Sequence, residues 1–159
     1  MEDPFNQAYQ RALALVRLRR YAEAEKLLGA YLASAPQDAP AHALLARALV
    51  HLPGRQEDAL REARAAVHSD PNLAEGYYIL GIVLSGREAS AALAAFESAL
   101  RIDPRQARFY EAIGHLHLAC GRLPQALDSA LAGRKADPCD VGCANLQAVV
   151  LMRLGRGKE

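Results

Sequence analysis

Residues 87–104 read REASAALAAFESALRIDP, and three other stretches follow the same pattern: RRYAEAEKLLGAYLASAP at 19–36, GRQEDALREARAAVHSDP at 54–71 and GRLPQALDSALAGRKADP at 121–138. Each ends on a proline. Pro36, Pro71, Pro104 and Pro138 stand 35, 33 and 34 residues apart, and three of them follow an aspartate (Asp70, Asp103, Asp137). Twelve residues before each proline is an alanine: Ala24, Ala59, Ala92 and Ala126. Five residues before each stand Tyr31, Ala66, Ala99 and Gly133, small in three of the four. Small side chains at fixed places let one helix nest against another. The proline stops helix growth because it clashes with the preceding turn and biases the residue before it away from the helical region. A near-constant period with this internal phasing marks an array of helical repeats.

Partner helices lie on the far side of each proline, over Gln37–Val50 (QDAPAHALLARALV), Asn72–Leu84 (NLAEGYYILGIVL) and Arg105–Leu118 (RQARFYEAIGHLHL). In register, a large-residue site holds His42, Tyr77 and Tyr110, the next site Leu45, Leu80 and Ile113, and the one after Ala46, Gly81 and Gly114. A helix-interior glycine costs up to about 1 kcal/mol relative to alanine. Two at one repeat position imply a close crossing that offsets the cost.

Composition agrees with stacked helices. Hydrophobic residues make up 52% of 159, with no Trp, and no β-branched run reads as a strand. A net charge of +1 gives no global pull toward nucleic acid or acidic membrane. The 16 Arg against 3 Lys read as bacterial coding bias. The acidic start Met1-Glu2-Asp3-Pro4 lacks the apolar core of a signal peptide, and no run of about 18 apolar residues spans a membrane. Cys120, Cys139 and Cys143 are an odd number, read as reduced cytosolic thiols. The expected location is cytoplasmic, or the cytoplasmic part of a membrane-associated protein.

The chain resembles the tetratricopeptide repeat (TPR) family. Tyr77, Leu80, Gly81, Ala92, Phe96, Ala99 and Pro104 carry the resemblance in the third repeat. Tyr110, Ile113, Gly114, Gly121, Ala126 and Pro138 carry it in the fourth, and Tyr21, Ala24, Leu28, Leu32 and Pro36 in the first. The resemblance implies an all-α fold: a right-handed α-solenoid of antiparallel helix pairs, four repeats (about 5–38, 39–73, 74–106 and 107–140) plus one C-terminal helix (about 140–154), forming a single domain over 1–159. Three departures stand out: His42 and an extra residue near Leu52-Pro53-Gly54 in repeat two, a shortened turn at Ser85-Gly86-Arg87 in repeat three, and the bulky Tyr31 in repeat one. The C-terminal helix is apolar all round (Val141, Ala144, Leu146, Val149, Val150, Leu151, Met152). Gly155-Arg156 falls where a fifth repeat would turn, so the sequence reads as a fragment of a longer array.

In the family the first helix of each pair lines a concave surface that binds peptides or partner helices. The matching positions are Asn6, Tyr9, Leu13, Ala43, Arg47, Val50, Glu75, Tyr78, Ile82, Arg108, Glu111, His115, Asn145 and Val149. Such a lining would show two exposed tyrosines, two arginines and two carboxylates among aliphatics, and Tyr and Arg are frequent interface anchors. The family's clamp for the carboxylate tails of heat-shock chaperones needs Lys and Asn where this chain has Tyr9, Leu13, Leu44, Glu75 and Ile79, so that ligand is disfavoured. Glu111 and His115 could share a metal, but no third ligand is evident and a surface pair is the simpler reading. The three cysteines form no CxxC and read as free thiols. No nucleophile with a base, phosphate-cradling glycine loop or GxSxG occurs, and the inner-face charges roughly cancel, unlike those of pentatricopeptide RNA binders. The expectation is a non-enzymatic protein-binding module or scaffold without cofactor or metal. The alternatives are a secretion-type chaperone for an export substrate and the soluble TPR part of a membrane-anchored assembly protein. Homodimerisation through the C-terminal helix is a further expectation.

Overall fold

The computed structural model describes residues 4–155, with side chains from residue 7. Among them are nine helices and no strand: α1 (Pro4–Arg17), α2 (Tyr21–Ser34), α3 (Ala39–Val50), α4 (Gln56–Ser69), α5 (Ala74–Leu84), α6 (Ala89–Ile102), α7 (Ala107–Ala119), α8 (Leu123–Ala136) and α9 (Val141–Arg153). They divide into two compact units, one ending at Leu84 and the other beginning at Ser85. None is long and apolar enough to cross a membrane. The residues Met1–Asp3 and Arg156, named in the sequence reading, lie outside the described part.

The prolines end helices as their spacing predicts, through specific hydrogen bonds. The amide before each proline donates to the carbonyl of the second small site: Ala35 to Tyr31 (3.1 Å), Asp70 to Ala66 (3.0 Å), Asp103 to Ala99 (2.9 Å) and Asp137 to Gly133 (2.9 Å). The aspartate carboxylate then accepts from the amide two residues on: Asn72 to Asp70 (2.9 Å), Arg105 to Asp103 (3.2 Å) and Cys139 to Asp137 (2.9 Å). This Asx turn holds the chain through the corner. It also delays the next helix, so α5 and α7 begin two residues later than the sequence predicts, at Ala74 and Ala107. The first corner lacks the aspartate. There the Tyr31 hydroxyl donates to Asp38 (2.5 Å), whose other oxygen caps α3 by accepting from the Ala41 amide (2.9 Å). The bulky Tyr31 thus replaces a missing turn contact.

The corners that follow α1, α3, α7 and α9 each use a left-handed residue. Gly54 and Gly121 sit at φ +72°, Gly155 at +74°, and Arg19, at the equivalent place, at +59°. A side chain there is sterically disfavoured, which explains glycine at three of the four.

The shared alanines Ala24, Ala59, Ala92 and Ala126 are all fully buried. In the first unit Leu28, Leu32, Leu44, Leu45 and Leu49 surround Ala12, Ala24, Ala41 and Ala48 in one cluster, and Ala46, Ala63 and Ile79 form another. In the second, Ala126 and Ala130 of α8 pack on Leu146 and Val150 of α9. The close crossing expected at Gly114 is present: a Cβ there would collide with Leu146 and stand 3.3 Å from the Ser129 Cβ. α9 buries Cys143, Leu146 and Val150 but exposes Val141 (68%), Val149 (42%) and Met152 (71%) to solvent.

The three cysteines separate by environment. Cys120 and Cys139 are exposed, whereas Cys143 is buried and its thiol donates to the Ala107 carbonyl (3.4 Å). Burial first, then the neighbouring carboxylates of Asp140 and Glu111, push the Cys143 thiol from about 9 up to about 12. At pH 8 its thiolate fraction is then about one part in ten thousand. Iodoacetamide is expected to modify two thiols promptly and the third only as the protein unfolds; mass spectrometry of a labelling time course checks this. Above about pH 9 the unfolded chain releases this proton while the folded chain keeps it. The contribution of Cys143 to stability is therefore whole below that pH and declines through about 12.

Candidate functional site

In the first unit α1 supplies Tyr9 and Leu13, α3 supplies Arg47 and Val50, and α5 supplies Glu75, Tyr78 and Ile82. The central pair, Arg47 and Glu75, forms a partly buried ion pair that ties α3 to α5. The two residues are eleven positions after one repeat proline and four after the next, so stacking in register brings them together. Tyr9 stands close enough to be influenced by Arg47. Burial raises its phenol above the ordinary range, the Asp38 carboxylate adds to this, and Arg47 opposes it. Tyr9, Leu13 and Val50 pack on the first cluster and Tyr78 and Ile82 on the second. Neither tyrosine is exposed as the sequence suggests; each ring covers a leucine- or isoleucine-centred cluster and is half-buried. Ala43, assigned to the lining, is buried at 1% exposure. Leu44 and Ile79, two of the carboxylate-clamp positions, also belong to the core.

The second unit holds Arg108, Glu111 and His115 on α7 and Asn145 and Val149 on α9. The Glu111 carboxylate lies against Gly142 in the first turn of α9, where a Cβ would collide with it. A carboxylate beside a helix N-terminus is favoured by the helix dipole, by about 0.3–1 kcal/mol at exposed sites. His115 Nε2 is 3.6 Å from Glu111 Oε1. The Arg108 guanidinium stands 5.1 Å from the centre of the Phe109 ring. His115, Asn145 and Val149 are exposed, while Arg108 and Glu111 are partly buried. Asn6 lies outside the described side chains.

Sequence reasoning missed three residues that shape these faces. Asp38 caps α3 and polarises Tyr9. Gly142 makes room for Glu111. His42, read as a departure from an aromatic site, links α3 to α4: its Nδ1 is 2.8 Å from Glu62 and its Nε2 is 3.1 Å from the Pro36 carbonyl. The repeat register of His42, five residues before Arg47, was the available signal. No group of three His, Cys, Asp or Glu among the described residues could hold a metal ion.

Antiparallel helical hairpins, repeated with buried alanines and proline corners, define a helical-repeat solenoid protein. The tetratricopeptide repeat profile matches residues 9–74, 53–107 and 82–141, and the chain belongs to that family. No curated protein sequence matches it. Among solved structures it is similar to TTC0263, a thermophilic TPR protein of Thermus thermophilus, with a TM-score of 0.84 at 24% identity over 96% of this chain and 84% of that one. It is also similar to MamA of Desulfovibrio magneticus RS-1 (TM-score 0.75, 19% identity, 99% of this chain and 89% of that one). A further MamA structure gives a TM-score of 0.74 at 18% identity, over 99% and 86% of the two chains. At these identities the likeness is one of fold.

Proposed function

We propose that the four repeats and α9 act as one non-catalytic, cytoplasmic binding domain that holds a segment of a partner protein on the first-helix faces. Tyr9, Leu13, Arg47, Val50, Glu75, Tyr78 and Ile82 serve as contacts in the first unit, and Arg108, Glu111, His115 and Asn145 in the second. The observation that carries this reading is the Arg47–Glu75 ion pair set among half-buried tyrosines and aliphatics. It is a preformed surface in which side-chain ordering is already paid, and little backbone change accompanies binding. Because the charge of Arg47 is met inside the fold, the partner segment is apolar rather than acidic. Affinity capture from the native organism identifies the partner, and calorimetry then measures it. Tyr78→Ala combined with Arg47→Ala is expected to weaken binding by about 30-fold or more, the scale of an interface hot spot of about 2 kcal/mol. Affinity should change little between low and physiological salt. Unchanged affinity in the double variant overturns the reading.

A second reading, self-association, is favoured by the exposed Val141, Val149 and Met152 of α9. Sedimentation over a concentration series should reveal a dimer that Met152→Glu abolishes; monomer at every concentration dismisses it.

A further inference from the structure

In two repeats the side chain six positions after the repeat proline reaches back to that proline's carbonyl. In repeat four the Tyr110 hydroxyl donates to the Pro104 carbonyl (3.2 Å). In repeat two the same place holds His42, whose Nε2 is 3.1 Å from the Pro36 carbonyl. A carbonyl only accepts, so this contact needs a hydrogen on Nε2. Nδ1 of the same ring is 2.8 Å from Glu62 Oε2, and a carboxylate also only accepts. A neutral imidazole has one N–H and one lone pair. It can serve Glu62 or Pro36; only the imidazolium serves both.

A charged ring also completes a chain of ion pairs. Glu62 ends a line that runs from Glu25 to Arg55 (2.5 Å), Arg55 to Asp58 (2.6 Å), Asp58 to Arg61 (2.7 Å) and Arg61 to Glu62 (3.3 Å). Two guanidiniums in this line meet three carboxylates, and His42 at its end supplies the third cation. The His42 and Glu62 side chains are only 13% and 14% exposed, so solvent screens their contact little. Lys26, exposed on α2, lies near Glu62 but makes no ion pair among the described residues. The other carboxylate at this corner, Asp38, is held by the Tyr31 hydroxyl (2.5 Å) and the Ala41 amide (2.9 Å). From α1 and α5, Tyr9 and Glu75 stand with Arg47 instead.

We propose that His42 is a proton-operated latch on the corner between the first and second repeats. Protonated, it ties the Pro36 carbonyl to Glu62 of α4. On losing one proton it keeps its remaining hydrogen on Nδ1, because a hydrogen bond to a carboxylate is about twice as strong as one to a neutral acceptor. Nε2 then turns a lone pair on the Pro36 carbonyl, and the corner is released. The latched fold holds a proton, so its contribution is whole where imidazole is charged and is lost as pH rises through the histidine range, about pH 5 to 8. A tyrosine hydroxyl keeps its hydrogen throughout that range, so the corner at Pro104 is an internal reference.

Amide hydrogen exchange at about pH 5.5 and about pH 8, corrected for intrinsic exchange, tests the latch. The Ala41 amide, bonded to Asp38 at the corner, is expected to lose about fivefold or more of its protection at the higher pH, the scale of one hydrogen bond. Phe109, five residues after Pro104 as Ala41 is after Pro36, should hold. Nitrogen NMR of the His42 ring should show hydrogen on both nitrogens at the lower pH and on Nδ1 alone at the higher. Glu62→Gln offers an amide N–H to the Nδ1 lone pair, so a neutral ring keeps its hydrogen on Nε2 and makes both bonds. In that variant the Ala41 response should vanish, and His42→Tyr should remove it too. The proposal falls if Ala41 and Phe109 change alike in the parent chain, if Nε2 carries no hydrogen at the lower pH, or if either variant responds as the parent does.

Discussion

Truncating Leu28 to alanine is expected to destabilise the first unit by about 4 kcal/mol, in the upper half of the about 2–5 kcal/mol observed for buried leucines. Leu28 has no solvent exposure and sits in a cluster whose smallest members are alanines: Ala12, Ala24, Ala41, Ala48 and Ala59. Those neighbours have no flexible atoms to swing into the vacated space, and their backbones belong to packed helices. The cavity therefore persists, and the lost contacts add to the lost transfer energy. Urea unfolding followed by circular dichroism measures the loss. Leu28→Met, which conserves volume, should cost less than about 1.5 kcal/mol. Equal effects of the two variants would show that Leu28 does not fill the core as described.

Gly133→Val is expected to be nearly as damaging, at about 3 kcal/mol or more, in the second unit. A Cβ at Gly133 would collide with the Cys143 sulfur, stand 3.0 Å from the Tyr110 Cβ and 3.3 Å from the Cys143 Cβ. Two of these atoms are fixed to the backbones of α7 and α9, so relief requires moving a helix rather than a rotamer. Overpacking of this kind costs about 1–3 kcal/mol for a methyl group, and the branched valine adds two more carbons. The gain from replacing a helix-interior glycine, about 1 kcal/mol, is too small to compensate. The double variant Gly133→Ala with Cys143→Ala should recover part of the loss of Gly133→Ala alone, since it removes the sulfur but not the Tyr110 contact. Thermal denaturation of the set checks this. Additive losses would place the clash elsewhere.

These two residues also show what can be read from a repeating sequence. The small sites Ala24, Ala59, Ala92 and Ala126, and the tight crossings at Gly114 and Gly133, follow from covalent spacing: once the period is known, residues in equivalent places face equivalent neighbours. Pairings between repeats are harder. Arg47 and Glu75 read as two independent charges because their meeting depends on how α3 stacks on α5. Tyr9 and Tyr78 each lie over a core cluster, and how deeply each ring lies is set by the clusters beneath it. Tyr31 reads as a packing fault in the sequence; its role emerges only with Asp38 placed beside its hydroxyl. Gly142 is the least legible, because a missing side chain has meaning only when its surroundings are known: there Glu111 fills the space.

The Asx corners carry a chemical consequence beyond folding. An Asp–Pro linkage is the peptide bond that acid breaks most readily, since the aspartyl carboxyl can attack its own carbonyl and the proline nitrogen departs easily once protonated. In the folded chain the carboxylates of Asp70, Asp103 and Asp137 are occupied with the amides two residues on. The group that fastens each repeat to the next is thus the one that, after denaturation in acid, severs the chain at the same seams. Hydrolysis would cut this protein along its own architectural boundaries.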